Sequence, residues 1–442
     1  MIKRFFLPLL ILLAPALAGQ TDFFESLRQH PAARSAALAL EATRQELANA
    51  VNYFALDASG GYISRDLAAA EPCPLLADPD PTNDVFCQFI TPEVPETSSQ
   101  SEIGLTLHAF AYGDLGDYQR TVLINYEIAK IDYRSNLANL EKGALEAAMQ
   151  YYLALQARDL AKEGVEVSKA AYEATRIRYG KGAASDRDLR QAELALEQAK
   201  VELENSSSSL ALAEDSLRYF TDSAPPPWPW PALDPPPDAE PPAVTKARLR
   251  REQARIGVEH SQRAFVPVGE IRFQHNLNDT SSVGVSVESR TLGARVYYAY
   301  QSYADPTRSR TDNELRLGFR LNFDQNDWGA LEAARSRLEA AESGFEAAKE
   351  QSSLELARLQ ALIEQSKRRF DIAAKSLDVA ERDHQEVKKR VELGLATPLE
   401  EQRSWLEYSK ARLELVRAEQ DVVRNRLALL AYLAIPPSEV WK

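Results

Sequence analysis

The chain has 442 residues, of which 52 are Lys or Arg and 65 are Asp or Glu, so its formal net charge is −13. An acidic chain of this kind is a poor match for nucleic acid, which requires a basic surface. Beyond the N-terminal segment the sequence lacks a run of the roughly 20 apolar residues of a transmembrane helix, so a membrane crossing would require strands closed into a barrel.

The N-terminus has the pattern of an export signal. Lys3 and Arg4 precede an apolar run, 5–17, which is too short for a transmembrane helix. We predict a signal peptide over 1–18 with cleavage after Ala18, which would take the net charge from −13 to about −15. The alternative interpretation is an uncleaved interfacial or buried helix.

The first half of the mature chain is predicted to be a structural repeat over 19–223. It begins with an entry helix over about 21–52, followed by a β-hairpin region over 54–112 with strand-like segments at 54–64 and 103–112. The second segment alternates apolar and other residues, as barrel strands of about ten residues do. A soluble sheet with ordinary packing is the alternative.

The two cysteines of the chain, Cys73 and Cys87, lie between these two strand-like segments. In an exported chain, an even number of cysteines within one loop predicts a disulfide, and two free buried thiols are the alternative. None of the five histidines stands at zinc-ligand spacing from a cysteine, so we expect neither a metal site nor a cofactor.

A long helical hairpin is predicted over 118–220, with Gly182 as the stop of its first arm and Ser185 as the cap of its second. Leucines recur every seven residues along the second arm, and small residues follow three positions behind them, which predicts close coiled-coil packing. The leucines are Leu189, Leu196, Leu203, Leu210 and Leu217, and the small residues are Ala192, Ala199, Ser206 and Ala213.

A proline-rich linker over 224–243 joins the two halves, and its prolines exclude a continuous helix. It contains Trp228 and Trp230, whose rings either pack on the helices or form a recognition surface.

The second half, 244–435, repeats the first, and a short tail, 436–442, follows. An entry helix (about 244–265) leads into a β region over 268–323 with four strand-like runs. Two of these runs would match the first half, and the others are either an extracellular hairpin or extra strands. A second helical hairpin is predicted over 328–434, with Gly394 as its stop and Thr397 as its cap.

The two hairpins match at a constant offset of 212, residues 165–220 against 377–432. Duplication of a long helical hairpin is typical of a self-assembling tube and unlike an enzyme pocket. The sequence also lacks a nucleophile with a histidine partner and a phosphate-binding glycine loop, so we predict that the protein is not an enzyme.

At this point the chain resembles the TolC-like outer membrane efflux proteins over nearly all of its mature length. The resemblance is carried by Gln29-His30-Pro31, Phe265-Val266-Pro267-Val268, Tyr112-Gly113-Asp114 and Phe323-Asp324, and above all by the tips Gly182-Ala183-Ala184-Ser185 and Gly394-Leu395-Ala396-Thr397. It implies a mainly α fold with a transmembrane β-barrel portion. In this fold a homotrimer forms an outer membrane barrel of twelve strands and a periplasmic helical tunnel.

The resemblance also implies partners at the tips, where a periplasmic adaptor docks and links the duct to an inner-membrane efflux pump or ABC exporter. We call Gly182, Ser185, Gly394, Leu395 and Thr397 the adaptor-docking tips. The second tip fits the family pattern, whereas Ala183 replaces the leucine in the first.

A periplasmic gate of acidic rings is the last feature that the resemblance implies. We assign to it Glu400, Arg403, Asp186 and Asp188, with Arg403 standing where a second acid is expected. Arginines beside carboxylates in a narrow pore would form an electrostatic latch, pairing with Glu400 or Glu407. Alternatively, the acids only favour the N-terminal dipoles of their helices.

Two functions follow from this sequence. The first is a passive outer membrane export duct of a tripartite efflux or type I secretion system. The second is a secreted or surface coiled-coil spacer or adhesin stalk without channel activity.

Overall fold

A computed structural model of the chain describes residues 22–50, 54–64, 97–231, 233–236, 239–278, 280–302, 313–321 and 325–441. The predicted signal peptide and the predicted Cys73–Cys87 disulfide lie outside these residues. Within them, none of the helices is both long and apolar enough to cross a membrane.

The first half contains four helices and two strands in the described residues. They are α1 (22–29), α2 (Pro31–Ala48), β1 (Phe54–Ser64), β2 (Thr97–His108), α3 (Gly113–Gly180) and α4 (Asp186–Phe220). The second half follows the same plan with one entry helix instead of two, two additional strands and a short C-terminal helix. Its elements are α5 (Pro242–Arg263), β3 (Val268–Asn276), β4 (Ser281–Glu288), β5 (Gly293–Gln301), β6 (Asn313–Arg320), α6 (Gln325–Glu392), α7 (Pro398–Tyr432) and α8 (Pro437–Val440).

The described residues form two compact units. Those within 1–42, 127–249 and 343–442 belong to one, and those within 43–126 and 250–342 belong to the other. We call them the helical unit and the sheet unit.

The sheet unit contains one six-stranded antiparallel sheet with the order β1-β2-β5-β4-β3-β6. All four strand-like runs predicted between 268 and 323 are therefore strands of one sheet. A trimeric barrel of twelve strands would take four strands from each copy, whereas the described residues place six strands in this sheet.

A glycine makes the turn from β2 into α3. Gly113 has φ +58°, and an added Cβ atom would lie 1.9 Å from the carbonyl oxygen of Arg290, so only glycine fits there. Strand β2 spans Thr97–His108 instead of the predicted 103–112, and α3 begins earlier than the predicted 118.

The predicted entry helix of the first half is divided in two. Residues 22–29 and Pro31–Ala48 are helical, and His30 separates them. Proline has no backbone N–H to donate within a helix, and it is favoured in the first turn, so Pro31 begins a new helix.

The heptad positions of α4 are the ones that face inward. Leu210, Leu217, Ala192, Ser206 and Ala213 are buried. In α6, the residues Leu331, Ala334, Leu359, Ile363 and Ala373 are buried as well. Burial of the heptad positions confirms the close packing predicted for the second arm of the first hairpin.

The core of the helical unit joins both halves of the chain and the linker between them. It contains Phe23 and Leu27 from α1, Leu145 and Met149 from α3, and residues of α6 and α7. Trp230 of the linker is 8% exposed and belongs to this core. Its indole N–H donates to the Pro226 carbonyl at 3.0 Å, so this ring packs on the helices as one of the two interpretations predicted.

A buried carboxylate anchors the C-terminal helix. Glu141 of α3 is fully buried and accepts hydrogen bonds from the backbone N–H and the hydroxyl of Ser438 in α8, both at 2.8 Å. Burial raises the pKa of Glu141 above its ordinary value, and the two Ser438 hydrogen bonds only partly oppose that effect.

We expect Glu141 to make the stability of the helical unit pH-dependent. The folded chain holds this proton more tightly than the unfolded chain does, so the free energy of unfolding is greatest below the ordinary pKa and falls as pH rises through the raised one. Glu141→Gln should abolish that fall. Glu141→Ala should cost about 1–3 kcal/mol, because it leaves Ser438 without its acceptor. Thermal unfolding of the purified protein, followed by circular dichroism from about pH 4 to 8, measures both effects. Parallel pH profiles for the wild type and Glu141→Gln would contradict the assignment.

Candidate functional site: the hairpin tips and the two-faced sheet

Each hairpin tip ends its first arm with the same backbone motif. At the first tip, Gly182 has φ +71°, and the N–H groups of Gly182 and Ala183 donate to the carbonyls of Tyr179 at 2.9 Å and Arg178 at 2.8 Å. The same pair of bonds recurs at the second tip, where Gly394 has φ +74°. This is the Schellman motif, which satisfies the free carbonyls of a helix end.

The second arm of each hairpin begins with a capping box. Asp188 N–H donates to the Ser185 hydroxyl at 3.1 Å, and Ser185 N–H donates to the Asp188 carboxylate at 2.9 Å. At the second tip, Glu400 N–H donates to the Thr397 hydroxyl at 3.2 Å, and Thr397 N–H donates to the Glu400 carboxylate at 2.6 Å. Four predicted site residues therefore shape the tips through the backbone.

The hydrogen bonds of the capping boxes keep both carboxylates ionised. The bond from the Ser185 hydroxyl lowers the pKa of Asp188, and the backbone bond from Thr397 lowers that of Glu400. Both acids thus act as capping residues of their helices, while the gate and helix-dipole interpretations stay predictions.

The remaining gate residues lie nearby on the helix surfaces. Asp186 forms an ion pair with Arg190 at 2.8 Å, and Glu407, one of the predicted latch partners, pairs with Lys410 at 3.0 Å. Arg403 is exposed and contributes to lowering the pKa of Glu400.

A cavity of about 620 Å³ lies between α3, α4 and α7, near the two tips. Its apolar wall is formed by Leu160, Leu194, Leu399, Trp405, Leu406 and Leu413. Gly164 makes room for the Trp405 ring, since an added Cβ atom would lie 2.7 Å from it. Gln402 donates to the Ser168 hydroxyl at 2.7 Å and links the two hairpins. This cavity was not predicted, because it depends on the packing of one hairpin against the other.

The sheet has one apolar and one polar face. On the apolar face the exposed side chains are Phe54, Leu56, Tyr62, Ile103, Leu105, Leu107, Ile271, Phe273, Val285, Val296, Tyr298, Tyr300, Leu315, Leu317 and Phe319. The opposite face carries charged residues, including Arg295, which forms ion pairs with Asp57 and with Glu102. The alternation predicted for β2 thus extends over the whole sheet.

An ionic cluster, also not predicted, joins α3 and α5 to the sheet. The His260 ring nitrogen Nδ1 lies 3.3 Å from an Asp114 oxygen and 3.6 Å from an Asp117 oxygen. These three side chains have the spacing of metal ligands. However, the guanidinium of Arg263 contacts Asp117, and that of Arg290 lies 3.3 Å from Asp114, so both carboxylates already have cationic partners.

No protein-family model and no curated protein matches the chain. Solved structures do. The outer membrane protein VceC of Vibrio cholerae superimposes with a TM-score of 0.66 at 16% identity, over 94% of this chain and 95% of that chain. The open state of the MtrE outer membrane channel of Neisseria gonorrhoeae superimposes with a TM-score of 0.62 at 17% identity, over 94% of this chain and 89% of that chain. The CmeC outer membrane channel of Campylobacter jejuni superimposes with a TM-score of 0.61 at 13% identity, over 93% of this chain and 84% of that chain.

The chain therefore has the fold of these TolC-like outer membrane channels, as the sequence resemblance indicated. The similarity spans nearly the whole length of the proteins compared.

We expect the positive φ of the tips to make their glycines hard to replace. Gly394→Ala should destabilise the second tip by about 1 kcal/mol, because a Cβ atom is unfavourable in the left-handed region. The matched control is Gly344→Ala, since Gly344 lies within α6 with open space around it and alanine should favour the helix there. Hydrogen exchange of the amides over 389–401 should quicken about fivefold only in Gly394→Ala. Equal exchange in both variants would contradict the role of this glycine.

Proposed function

We propose that the protein is a passive outer membrane export duct. In this proposal it is a homotrimer whose sheets lie in the outer membrane and whose helices form a periplasmic tunnel. It works with a periplasmic adaptor and an inner-membrane efflux pump or ABC exporter. Since the pump selects the cargo in such a system, the duct itself needs no catalytic residue and no cofactor.

The two-faced sheet is the observation that carries this proposal. A soluble sheet with one face in water buries its apolar side chains on the other face. Here at least Leu56, Leu315, Leu317 and Phe319 are more than half exposed. In a membrane barrel, the apolar face of the sheet contacts hydrocarbon on the outside and the polar face contacts water in the lumen, which matches the two faces of this sheet. A soluble coiled-coil spacer offers no reason for this pattern.

Exposed apolar residues on the long helices support an assembly of several copies. Ile177, Val201, Leu212, Leu354 and Ile372 are each more than half exposed in the single chain. Large side chains repeated in this way along coiled-coil arms favour packing against further helices, and identical copies provide them.

The groove between the hairpins supports docking of an adaptor near the tips. The cavity behind Trp405 is apolar and open, and exposed Leu395 stands at the adjacent tip. A helical hairpin of a partner would insert its apolar side chains there, as helices do in hydrophobic grooves.

We expect the second tip to be the stronger docking surface. A photo-cross-linking amino acid in place of Ala396 should capture an adaptor in the native cell envelope, and the same residue in place of Ala184 should capture less of it. The two alanines are equivalent at the offset of 212, so the comparison retains Leu395 at one tip and Ala183 at the other. Equal or reversed capture, identified by mass spectrometry, would contradict this preference.

The duct and its gate can be tested together by single-channel conductance of the purified trimer in planar bilayers. We expect small conductance in the wild type and a several-fold rise in Arg403→Ala and in Glu400→Gln, because either change removes one partner of the electrostatic latch.

Glu400→Gln separates charge from capping, since glutamine still accepts a hydrogen bond in a capping box. Thr397→Ala is the matched control, because it removes the cap hydroxyl and retains the charge of Glu400. A rise in Thr397→Ala alone would assign gating to the shape of the tip. Absence of channels in a folded, reconstituted preparation would leave the structural spacer as the better explanation.

A further inference from the structure

The hairpin formed by β4 and β5 lies in the middle of the sheet. Strand β4 pairs with β3 from Glu270↔Glu288 to Asn276↔Ser282, and β5 pairs with β2 from Gln100↔Gln301 to His108↔Gly293. The hairpin therefore separates the strands that enter and leave the helices, and in the chain as folded it has no free edge of its own.

The apolar face continues across this hairpin without interruption. One row of directly paired residues crosses all six strands as Leu56, Leu105, Val296, Val285, Phe273 and Leu315. The next row on the same face is Phe54, Leu107, Ala294, Val287, Ile271 and Leu317. Both rows are wholly apolar, so the hairpin carries the same surface as its neighbours.

The polar face of the hairpin is fitted to that of the surrounding strands. Tyr297 of β5 is 4% exposed, lies against Gly284 of β4, and donates its hydroxyl to Gln274 of β3 at 3.2 Å. Arg295 lies against Gly104 of β2, where an added Cβ atom would come within 2.7 Å of the guanidinium. A Cβ atom on either glycine would displace the side chain, so the hairpin and its neighbours are complementary.

We propose that all six strands of each copy belong to the membrane wall and that hydrocarbon covers their apolar face. This rests on the proposed function. A trimer then forms a barrel of eighteen strands, six from each copy. The open edges of the sheet, β1 and β6, run in opposite directions, so β6 of one copy pairs with β1 of the next in the antiparallel sense used throughout the sheet. Closure leaves no edge in lipid.

The consequence is a wide pore within the barrel. Barrel diameter grows roughly in proportion to strand number, so eighteen strands give a circumference about 1.5 times that of twelve and enclose an aqueous channel. The charged side chains of the polar face lie along its wall in mutual pairs, as Arg295 does with Asp57 and Glu102. A barrel of this width then admits bulky water-soluble cargo.

The test is the accessibility of single cysteines in trimers reconstituted into liposomes, in a chain with Cys73→Ser and Cys87→Ser. Ser286→Cys on the polar face of β4 should react at least about tenfold faster with a charged, water-soluble maleimide than Val285→Cys on its apolar face, because charged reagents do not enter hydrocarbon. A fluorophore at Val285 should instead be quenched by brominated lipids. Thr106→Cys and Leu105→Cys provide the matched control pair in β2.

Equal labelling of the two β4 positions, with the β2 pair still alternating, would place the hairpin outside the membrane wall and overturn the inference while the duct stands. Failure of the β2 pair to alternate would overturn both. Closure is tested by Ala58→Cys combined with Leu315→Cys, Leu317→Cys or Phe319→Cys. Oxidation should yield covalent oligomers only when both strands carry a cysteine, and their absence at every position would exclude pairing of β1 with β6.

Discussion

The alternation of side chains along six paired strands is the constraint on which the rest of this structure depends. Because successive residues point to opposite faces, the sheet places its apolar side chains on one side and Arg295, Asp57 and Glu102 on the other. A single copy in water leaves the apolar side bare and two edges open. In the proposed duct, lipid covers the apolar face, water wets the polar face and identical copies pair with the edges.

The hairpin tips solve a different problem with backbone chemistry. A long arm must end, reverse and begin again without leaving polar groups unpaired, and the Schellman motif and the capping box achieve this at both tips. Since the two backbones are alike, differences between the tips reside in side chains such as Ala183 and Leu395. Partner preference can therefore diverge between the tips while their stability is preserved.

Two carboxylates of the helical unit have pKa values that are shifted in opposite directions by their surroundings. Glu141 is enclosed by the core, so burial raises its pKa although Ser438 supplies two hydrogen bonds. Glu400 is exposed at the tip, so the hydrogen bonds from Thr397 prevail and lower its pKa. The first acid contributes to anchoring the end of the chain, and the second keeps a negative charge at the tip at any pH near neutrality.

The sequence by itself determined the features that depend on local spacing. Heptads at 189–217, the glycine stops, the capping residues and the four strand-like runs of the second half all have signals within a few residues of one another, and the structure contains them where they were predicted. Pro31 was such a signal too, because Gln29-His30-Pro31 carries part of the family resemblance, although the entry helix was predicted to be continuous over about 21–52. The predicted disulfide and signal peptide stay predictions.

Tertiary structure alone decided which of these elements meet. Arg295 and Asp57 are 238 residues apart, and Gln402 and Ser168 are 234 apart, so no periodicity along the chain relates them. The place of β4 and β5 between the other strands, the cluster around Asp114 and the cavity behind Trp405 have the same origin. Local patterns specify the faces of helices and strands, whereas pairing between distant segments depends on the complementarity of those faces after folding, which spacing along the chain does not encode.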